Sequence, residues 1–563
     1  MKVKVFGRFS PYVSDFSKRN EKIKLRTYKN AFKKRKFVLV GVDPKKARVE
    51  GMGETTHEDL FEIIENSVDV TFVIGTVREF VFIGEGVYER KIRDRILVLE
   101  ETTVVKRESY EDDAEKNLNS LKEEWDTCRK VYDAERNVTL YNYLRKTHHP
   151  EAKKRFGFKS SLDSLFFFAQ RGAHAENFVY RETRKGRKIA VFDVNSMYPY
   201  CITLENYPDP SRLVHETYPD PSEWGAGIFL VLMERKKTMD AFPERFSYLK
   251  YAKDNVRFHV DVPEETKILT VLHKNEMEFF SEYYEIDPLE GIVSEKAVAH
   301  PLKETMEELY RKRSESEGYE RKLYKSMMVM ASSLYMKNSF KRLKSEREWV
   351  ETVTKKFGIK NVSNFYRGLY FSRRSVPDVH DPRNVYLLGS QMYANNNVHL
   401  ARILEKLYFS GLDVEICYVN VDSVHVSVSE KDYNALMELM YPQVGTELGK
   451  LKVEAVSDHA FWFDVGKYVL FDRNGEIVKK AGMDRFLSYT VEDGAFRKVK
   501  YDPMRALSYG NRVSGDPSSP FVPAERVSLA EAERGINLLY DLKDSEEKKR
   551  IALYKEYRWL TRK

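Results

Sequence analysis

The stretch Lys188-Ile-Ala-Val-Phe-Asp-Val-Asn-Ser-Met-Tyr-Pro-Tyr200 constrains this chain more than any other. An apolar run of strand length ends in Asp193, and a turn bearing Asn195, Ser196 and Pro199 follows at once. A carboxylate at a strand end can hold a hard cation, and the amides of the chain reversal after it can face phosphate oxygens. Tyr198, five residues on, can pack against a sugar. A second segment, Ile416-Cys-Tyr-Val-Asn-Val-Asp-Ser-Val-His425, predicts strands over 414–419 and 424–428 with Asn420–Ser423 at the turn. It presents Asp422. Alone, an Asp in a hairpin is an ordinary turn residue; beside Asp193 it becomes the second half of a carboxylate site.

Composition bounds what surrounds these segments. A chain of 563 residues suggests about three to five domains. With 42% hydrophobic and 32% charged residues it can build several cores and is not globally disordered. The charged fraction is also a weak thermophile signal. No apolar run approaches the roughly 18 residues of a membrane span, and MKVKVFGRFS has no apolar signal core, so neither secretion nor membrane insertion is expected. Three cysteines, Cys128, Cys201 and Cys417, form no CxxC pair. That excludes a disulfide framework or a Cys-rich metal site and suits a reducing, cytoplasmic compartment. The net charge is a modest +8, but residues 18–36 hold ten Lys/Arg against one Glu, with Tyr28 and Phe32 interspersed. Two readings stay open for that run: phosphate attraction, or a solvated arm.

The order of elements indicates several domains. Residues 37–42 read as a buried strand, 57–66 as an amphipathic helix and 68–76 as another strand, which predicts an α/β domain at the amino end. Residues 111–146 are charged and helical, and Thr147-His148-His149-Pro150 marks a boundary. Tyr207-Pro-Asp-Pro-Ser211 and Tyr218-Pro-Asp-Pro-Ser222 predict two turns in a loop-rich crossing. Helices are expected over 301–313, 319–337 and 391–408. Ser514–Pro520 reads as a loop. Ser528 and Glu531 form a capping box opening a helix to about Leu542, and 547–563 reads as basic and helical.

The two carboxylate segments resemble motifs A and C of the family B DNA polymerases, DxxSLYP against Asp193-Val-Asn-Ser-Met-Tyr-Pro199 and YxDTDS against Tyr418-Val-Asn-Val-Asp-Ser423. Gln170-Arg-Gly-Ala173 is similar to the YxGG/A motif, Leu448–Glu454 to the palm strand after motif C, and Gly466-Lys-Tyr468 to the K-x-Y element. The resemblance spans roughly residues 160–490. It departs at Asn420, which replaces the first Asp of motif C. It departs again at Ser332-Ser-Leu-Tyr-Met336, where the family has K-x3-NSxYG; Met328 stands at the lysine position, with Lys325 about one turn earlier. The family's exonuclease carboxylates also lack counterparts: the matching strand ends Val42-Asp43-Pro44 with no Glu, and Val70–Ile74 has no Asp.

The resemblance implies an α/β and α+β multidomain fold, a right hand of palm, fingers and thumb behind a degenerate exonuclease-like amino-terminal α/β domain. The expected segments are 1–150 for that domain, 151–300 for the template-contact segment and first part of the palm, 301–345 for the fingers, 346–465 for the second part of the palm, and 466–563 for the thumb. It implies a DNA-directed DNA polymerase without proofreading, using two Mg2+ ions, with Mn2+ as a substitute, on Asp193, Asp422 and the Val194 carbonyl. Ser196, Met197, Tyr198, Lys325 and Arg321 are implied on the nucleotide. Arg171, Gly172, Ser332, Tyr335, Lys467 and Tyr468 are implied on DNA, bound without sequence preference. The partners implied are primed template, dNTPs and replication or repair proteins, in a prokaryotic nucleoid. The chain looks most like the divergent, exonuclease-deficient archaeal branch, which suits damage tolerance or gap filling. Two alternatives stand beside this: a protein-primed polymerase of a virus or mobile element, favoured by Gln170–Ala173 and by the long stretch between Asp193 and Ser332, and a catalytically dead polymerase fold that binds DNA as a scaffold.

Overall fold

The computed structural model describes residues 3–5, 36–76, 95–103, 105, 111–148, 169, 171–237, 242–253, 256–262, 266–335, 340–342, 375–377, 386–482, 491–492, 495–496, 513–514, 521 and 523–534. The basic run 18–35, Gln170, Met336 and the expected terminal helix 547–563 lie outside them. The chain forms a mixed α/β, multidomain fold of two compact units, one of Met1–Val13, Ala152–His300 and Tyr335–Lys563, the other of Ser14–Glu151 and Pro301–Leu334. Among the described residues no helix is long and apolar enough to cross a membrane.

The unit of Ser14–Glu151 and Pro301–Leu334 is built on a five-stranded sheet of β1 (Lys36–Val42), β2 (Ala47–Val49), β3 (Gly53–Thr55), β4 (Val70–Ile74) and β5 (Ile96–Val98), in the order β3-β2-β1-β4-β5. β1, β4 and β5 run parallel; β2 and β3 are antiparallel. The near-continuous apolar run of β1 follows from this, since a parallel strand is buried on both faces. Helix His57–Asn66 makes the crossover into β4, capped by the Thr56 hydroxyl on the Asp59 amide at 3.1 Å. Helix Ala114–Tyr132 lies so close to β1 that a Cβ on Gly41 would fall 2.1 Å from the Ala114 carbonyl oxygen. Helices Lys303–Glu315 and Gly318–Leu334 complete the unit. The second is tied to Ala114–Tyr132 by Lys130–Glu320 at 3.4 Å and by Cys128 Sγ against the Tyr319 hydroxyl at 3.8 Å.

The other unit centres on an antiparallel sheet of β6 (Ala175–Asn177), β7 (Arg187–Val194), β8 (Val414–Asn420), β9 (Ser423–Ser429) and β10 (Leu451–Ser457), ordered β10-β7-β9-β8-β6. β11 (His459–Asp464), β12 (Lys467–Phe471) and β13 (Ile477–Ala481) form a four-stranded sheet with the short strand Arg181–Glu182. The two sheets share one core, in which Ile189, Val191, Cys417 and Tyr418 meet Ala460, Trp462, Tyr468 and Leu470. Between the segments of β7 and β8 the chain makes a third sheet, from Val214–Thr217, Ala226–Arg235, Lys267–His273 and Tyr284–Ser294. Helix Tyr386–Tyr408 contains the expected span 391–408. All three cysteines are buried thiols.

Strand Val3–Val5 pairs in parallel with Lys267–Leu269, so the first residues join the unit of β6–β13 and not the amino-terminal sheet. Position 466 falls in the turn of the β11–β12 hairpin, within a sheet and not between domains. Pairing with a segment more than two hundred residues away leaves no mark at Val3–Val5 in the sequence. The duplicated Tyr-Pro-Asp-Pro-Ser does fold twice alike: Asp209 takes the amide and hydroxyl of Ser211 at 2.9 and 2.7 Å, and Asp220 takes those of Ser222 at the same distances. The Ser528–Glu531 capping box is present, opening Leu529–Ala532; the rest of that expected helix lies outside the described residues.

Candidate active site

Pairing register brings the two carboxylate segments together. Asp193 on β7 is directly opposite Ser423 on β9, so Asp422, one residue before, stands beside it at the mouth of the β8–β9 hairpin. The turn itself is strained. Val421 has φ +63°, and the Asp422 amide donates back to the Asn420 carbonyl at 2.7 Å, a γ-turn of the rare positive-φ kind. A β-branched residue persists there only when its surroundings over-determine it. They do. The Val421 amide donates to the His174 carbonyl at 2.8 Å, Asn396 Nδ2 donates to the Val421 carbonyl at 2.8 Å, and the Val194 amide donates to the Asp422 carbonyl at 2.7 Å. The last bond links the two carboxylate segments through their backbones.

The turn after Asp193 is held as tightly. Ser196 is left-handed (φ 54°, ψ 56°) and opens helix Met197–Thr203. The Asn195 amide donates to the Lys450 carbonyl at 2.8 Å, Asn195 Nδ2 donates to the Gly445 carbonyl at 2.8 Å, and the Gly449 amide returns a bond to the Asn195 carbonyl at 2.9 Å. Gly449 has φ +82°, and a Cβ there would fall 2.2 Å from the Tyr200 ring, so both conformation and clearance call for glycine.

The electrostatics are those of crowded carboxylates. Burial and the neighbouring Asp193 charge push Asp422 up to about 6. Asp193 also lies above its ordinary value: burial and the Glu454 charge outweigh the Lys452 ammonium, whose Nζ is 2.9 Å from Asp193 Oδ2. These groups fit a hard divalent cation, because oxygen donors are clustered where their own charge is poorly compensated. Glu454, the further carboxylate described at this spot, is bonded to Lys479.

The other implied residues fall into distinct places. Val194 is buried. Met197 is buried too, so it offers the site backbone and no side chain. Tyr198 is half-buried, edge-on to Tyr393 at 5.7 Å between centroids. Arg171, expected at the template strand, points inward: its guanidinium is 2.9 and 3.0 Å from the two Glu276 oxygens and 3.0 Å from Thr270 Oγ1. Glu276 lies a hundred residues downstream, and the pair is spent inside the core. Gly172 is half-buried, its carbonyl taken by Asn397 Nδ2 at 3.3 Å. Tyr468, expected at the primer, is a core ring against His425 at 4.6 Å and Tyr418 at 5.7 Å. Lys467 is half-buried and ion-paired with Asp464. Tyr335 is buried with its ring 4.5 Å from that of His300. In the other unit, Ser332 is buried and donates to the Met328 carbonyl at 2.8 Å, while Arg321 and Lys325 are exposed one turn apart. Met328 at the family's lysine position is buried, which explains an apolar residue there.

Sequence reasoning missed the Asn395-Asn396-Asn397 triplet on helix Tyr386–Tyr408. All three are buried. Asn395 bonds Asn206 and the Cys201 carbonyl, Asn396 the Val421 carbonyl, and Asn397 Oδ1 accepts the His174 amide at 2.8 Å. Three consecutive Asn within a helical pattern was the available signal, since Asn is a poor helix former that is buried only when bonded. Asp43 was read as the remnant of a nuclease strand. Its buried carboxylate accepts the amides of Lys45, Lys46 and Ala114 at 2.7, 2.9 and 3.0 Å. Burial raises its pKa, but these three donors outweigh that and leave it lowered. Among the described residues one buried His/Glu group has metal-ligand spacing, His174, Glu176 and His259. Arg526 already holds both Glu176 oxygens at 3.2 Å, and burial keeps both histidines neutral.

No family model matches the chain, and no curated protein is similar to it. Solved structures do resemble it. The orthorhombic crystal form of phi29 DNA polymerase has a TM-score of 0.51 at 13% identity, covering 80% of this chain and 90% of that one. The phi29 enzyme in ternary complex with primer-template DNA and incoming nucleotide gives 0.44 at 16% identity, covering 66% of this chain and 61% of that one. The family B DNA polymerase of the hyperthermophilic archaeon Pyrobaculum calidifontis gives 0.34 at 11% identity, covering 79% and 60%. The chain therefore has the fold of phi29 DNA polymerase.

Proposed function

We propose that this protein is a DNA-directed DNA polymerase that extends a primer 3′-hydroxyl and lacks 3′–5′ proofreading. One observation carries the reading: two carboxylates from segments far apart in sequence, Asp193 and Asp422, are set side by side by sheet register and braced by a strained turn. Strain of this kind is maintained where geometry matters to chemistry. In this reading Asp193, Asp422 and the Val194 carbonyl hold two divalent ions, Mg2+ or Mn2+, which supply charge neutralisation for the attacking and leaving oxygens. The chain's own part is to position. Ser196 and the backbone of Met197 present amides to the triphosphate, and the half-buried Tyr198 lies under the sugar. Arg321 and Lys325, exposed on the other unit, are assigned to the nucleotide by the resemblance alone, and Gly172 leaves room for a strand. Lys467 reaches the primer backbone on release from Asp464.

The sheet of β6–β10 is the palm in this proposal, the helices of 303–334 the fingers, and β1–β5 the degenerate nuclease domain. Proofreading is absent because Asp43, the carboxylate of that strand, is consumed by three backbone amides. A role in gap filling or damage tolerance follows from the missing proofreading. A second reading, extension from a protein hydroxyl, is favoured by the stretch between Asp193 and Ser332, which supplies four strands of a five-stranded sheet over 214–294.

Primer extension on a primed template with four dNTPs and Mg2+ or Mn2+ tests this. Extension is expected, with a loss of at least about a thousandfold in both Asp193→Ala and Asp422→Ala, each of which removes a metal ligand. Extension only from a protein hydroxyl selects the second reading. DNA binding without extension under any condition overturns both and leaves a scaffold.

A further inference from the structure

Nothing in motif A or C accounts for the ammonium beside them. We propose that Lys452 is a resident counter-ion of the carboxylate pair, and that a divalent ion enters by displacing it from Asp193 onto Glu454. The inference rests on the polymerase reading of Asp193 and Asp422.

Lys452 is paired directly opposite Asp193 across β10 and β7, with Nζ 2.9 Å from Oδ2. That ammonium therefore takes an oxygen a metal needs. It cannot stay there beside one, since a single and a double positive charge a few ångströms apart repel strongly in a partly buried place. A second acceptor is within reach: Glu454 Oε1 is 3.6 Å from the same Nζ. The register shifts between Val453 and Ala455, so Glu454 is the extra residue of a bulge, and bulges re-aim side chains next to functional sites. Lys479 on β13 holds the other Glu454 oxygen and keeps the landing place fixed. The Lys452 side chain is 45% exposed, so it is free to swing.

The charge balance agrees. Asp193, Asp422 and Glu454 face Lys452 and Lys479, leaving one net negative charge, and Asn420 stands where the family has another Asp. A site of this kind stays folded and soluble without metal but holds metal weakly, with affinity set by how readily Lys452 leaves. Lys452 is a positioning residue in this scheme and touches no reacting atom.

Mn2+ binding to the full chain without DNA or nucleotide, followed by the electron paramagnetic resonance signal of free Mn2+, decides the matter. Lys452→Met is expected to bind Mn2+ about tenfold tighter. Lys452→Arg, which keeps the charge and grips a carboxylate with two donors, is expected to bind it more weakly than the parent. Glu454→Gln removes the landing place and is also expected to weaken binding. Unchanged or weaker binding in Lys452→Met, with Asp193→Asn still abolishing it, overturns the counter-ion role alone. Mn2+ binding that is absent throughout, or unaffected by Asp193→Asn and Asp422→Asn, overturns the polymerase reading beneath it.

Discussion

Asp43 and Asp193 both come at the end of a buried apolar strand, and their environments are opposite. Three backbone amides converge on Asp43, so its charge is satisfied by the main chain and it serves as a brace between β1 and helix Ala114–Tyr132. Asp193 faces another carboxylate and one half-exposed ammonium, and Asp422 beside it is pushed up to about 6 by burial and by that proximity. A carboxylate at a strand end is thus either a structural cap or a cation site, and what decides is whether amides or like charges surround it. Amides lower the cost of ionisation permanently; like charges leave a cost that only a cation removes.

The contrast predicts opposite pH signs, measured by chemical denaturation in EDTA. A carboxyl raised from 3.8 to about 6 favours the folded state below pH 4, and that advantage is lost as pH rises through 6. Asp422→Asn should therefore match the parent below pH 4 and exceed it by ~3 kcal/mol at pH 8, taking about two units at 1.36 kcal/mol each. Equal stability of the two proteins at pH 8 would break the comparison. Asp43 runs the other way. Its lowered pKa stabilises the fold above the ordinary carboxylate range and is lost on acidification. Asp43→Ala should cost about 2 kcal/mol at pH 7, the upper range for a lost cap, with the gap narrowing in acid. It should leave primer extension unaltered; a loss of extension would show that Asp43 does more than brace.

A smaller effect separates brace from charge within the candidate active site. Asn396→Ala frees the Val421 carbonyl while leaving both carboxylates in place. About 1 kcal/mol for one hydrogen bond sets the scale. Single-turnover extension should slow about fivefold, with nucleotide affinity little changed, because the turn holding Asp422 relaxes. A change confined to stability would make Asn396 a core residue and nothing more.

How far the sequence could be read differs residue by residue. Strands 37–42 and 414–419, helix 57–66 and the turn at Asn420–Ser423 were legible because they rest on local patterns: apolar runs, 3.6-residue periodicity and turn residues. Asp193 and Asp422 stood out because a short motif carries each, and register brings those two motifs together. Arg171 and Tyr468 were not legible. Both have side chains that suit nucleic acid, and both are buried, one by Glu276 and the other by Tyr418 and His425, partners that no local pattern announces. The pairing of Val3–Val5 with Lys267–Leu269 was hidden for the same reason, since it is a long-range choice.

The sequence by itself determined the element types around the candidate site and singled out its two carboxylates, because propensity, turn chemistry and motif are local properties of the chain. Only the tertiary structure decided which charges meet. It set Lys452 against Asp193, gave Asp43 its three amides, enclosed Arg171 with Glu276 and put Asn396 under Val421. Each of these is a pairing of segments that register and packing bring together, and the free energy of a charge depends on what faces it, not on its neighbours in the chain.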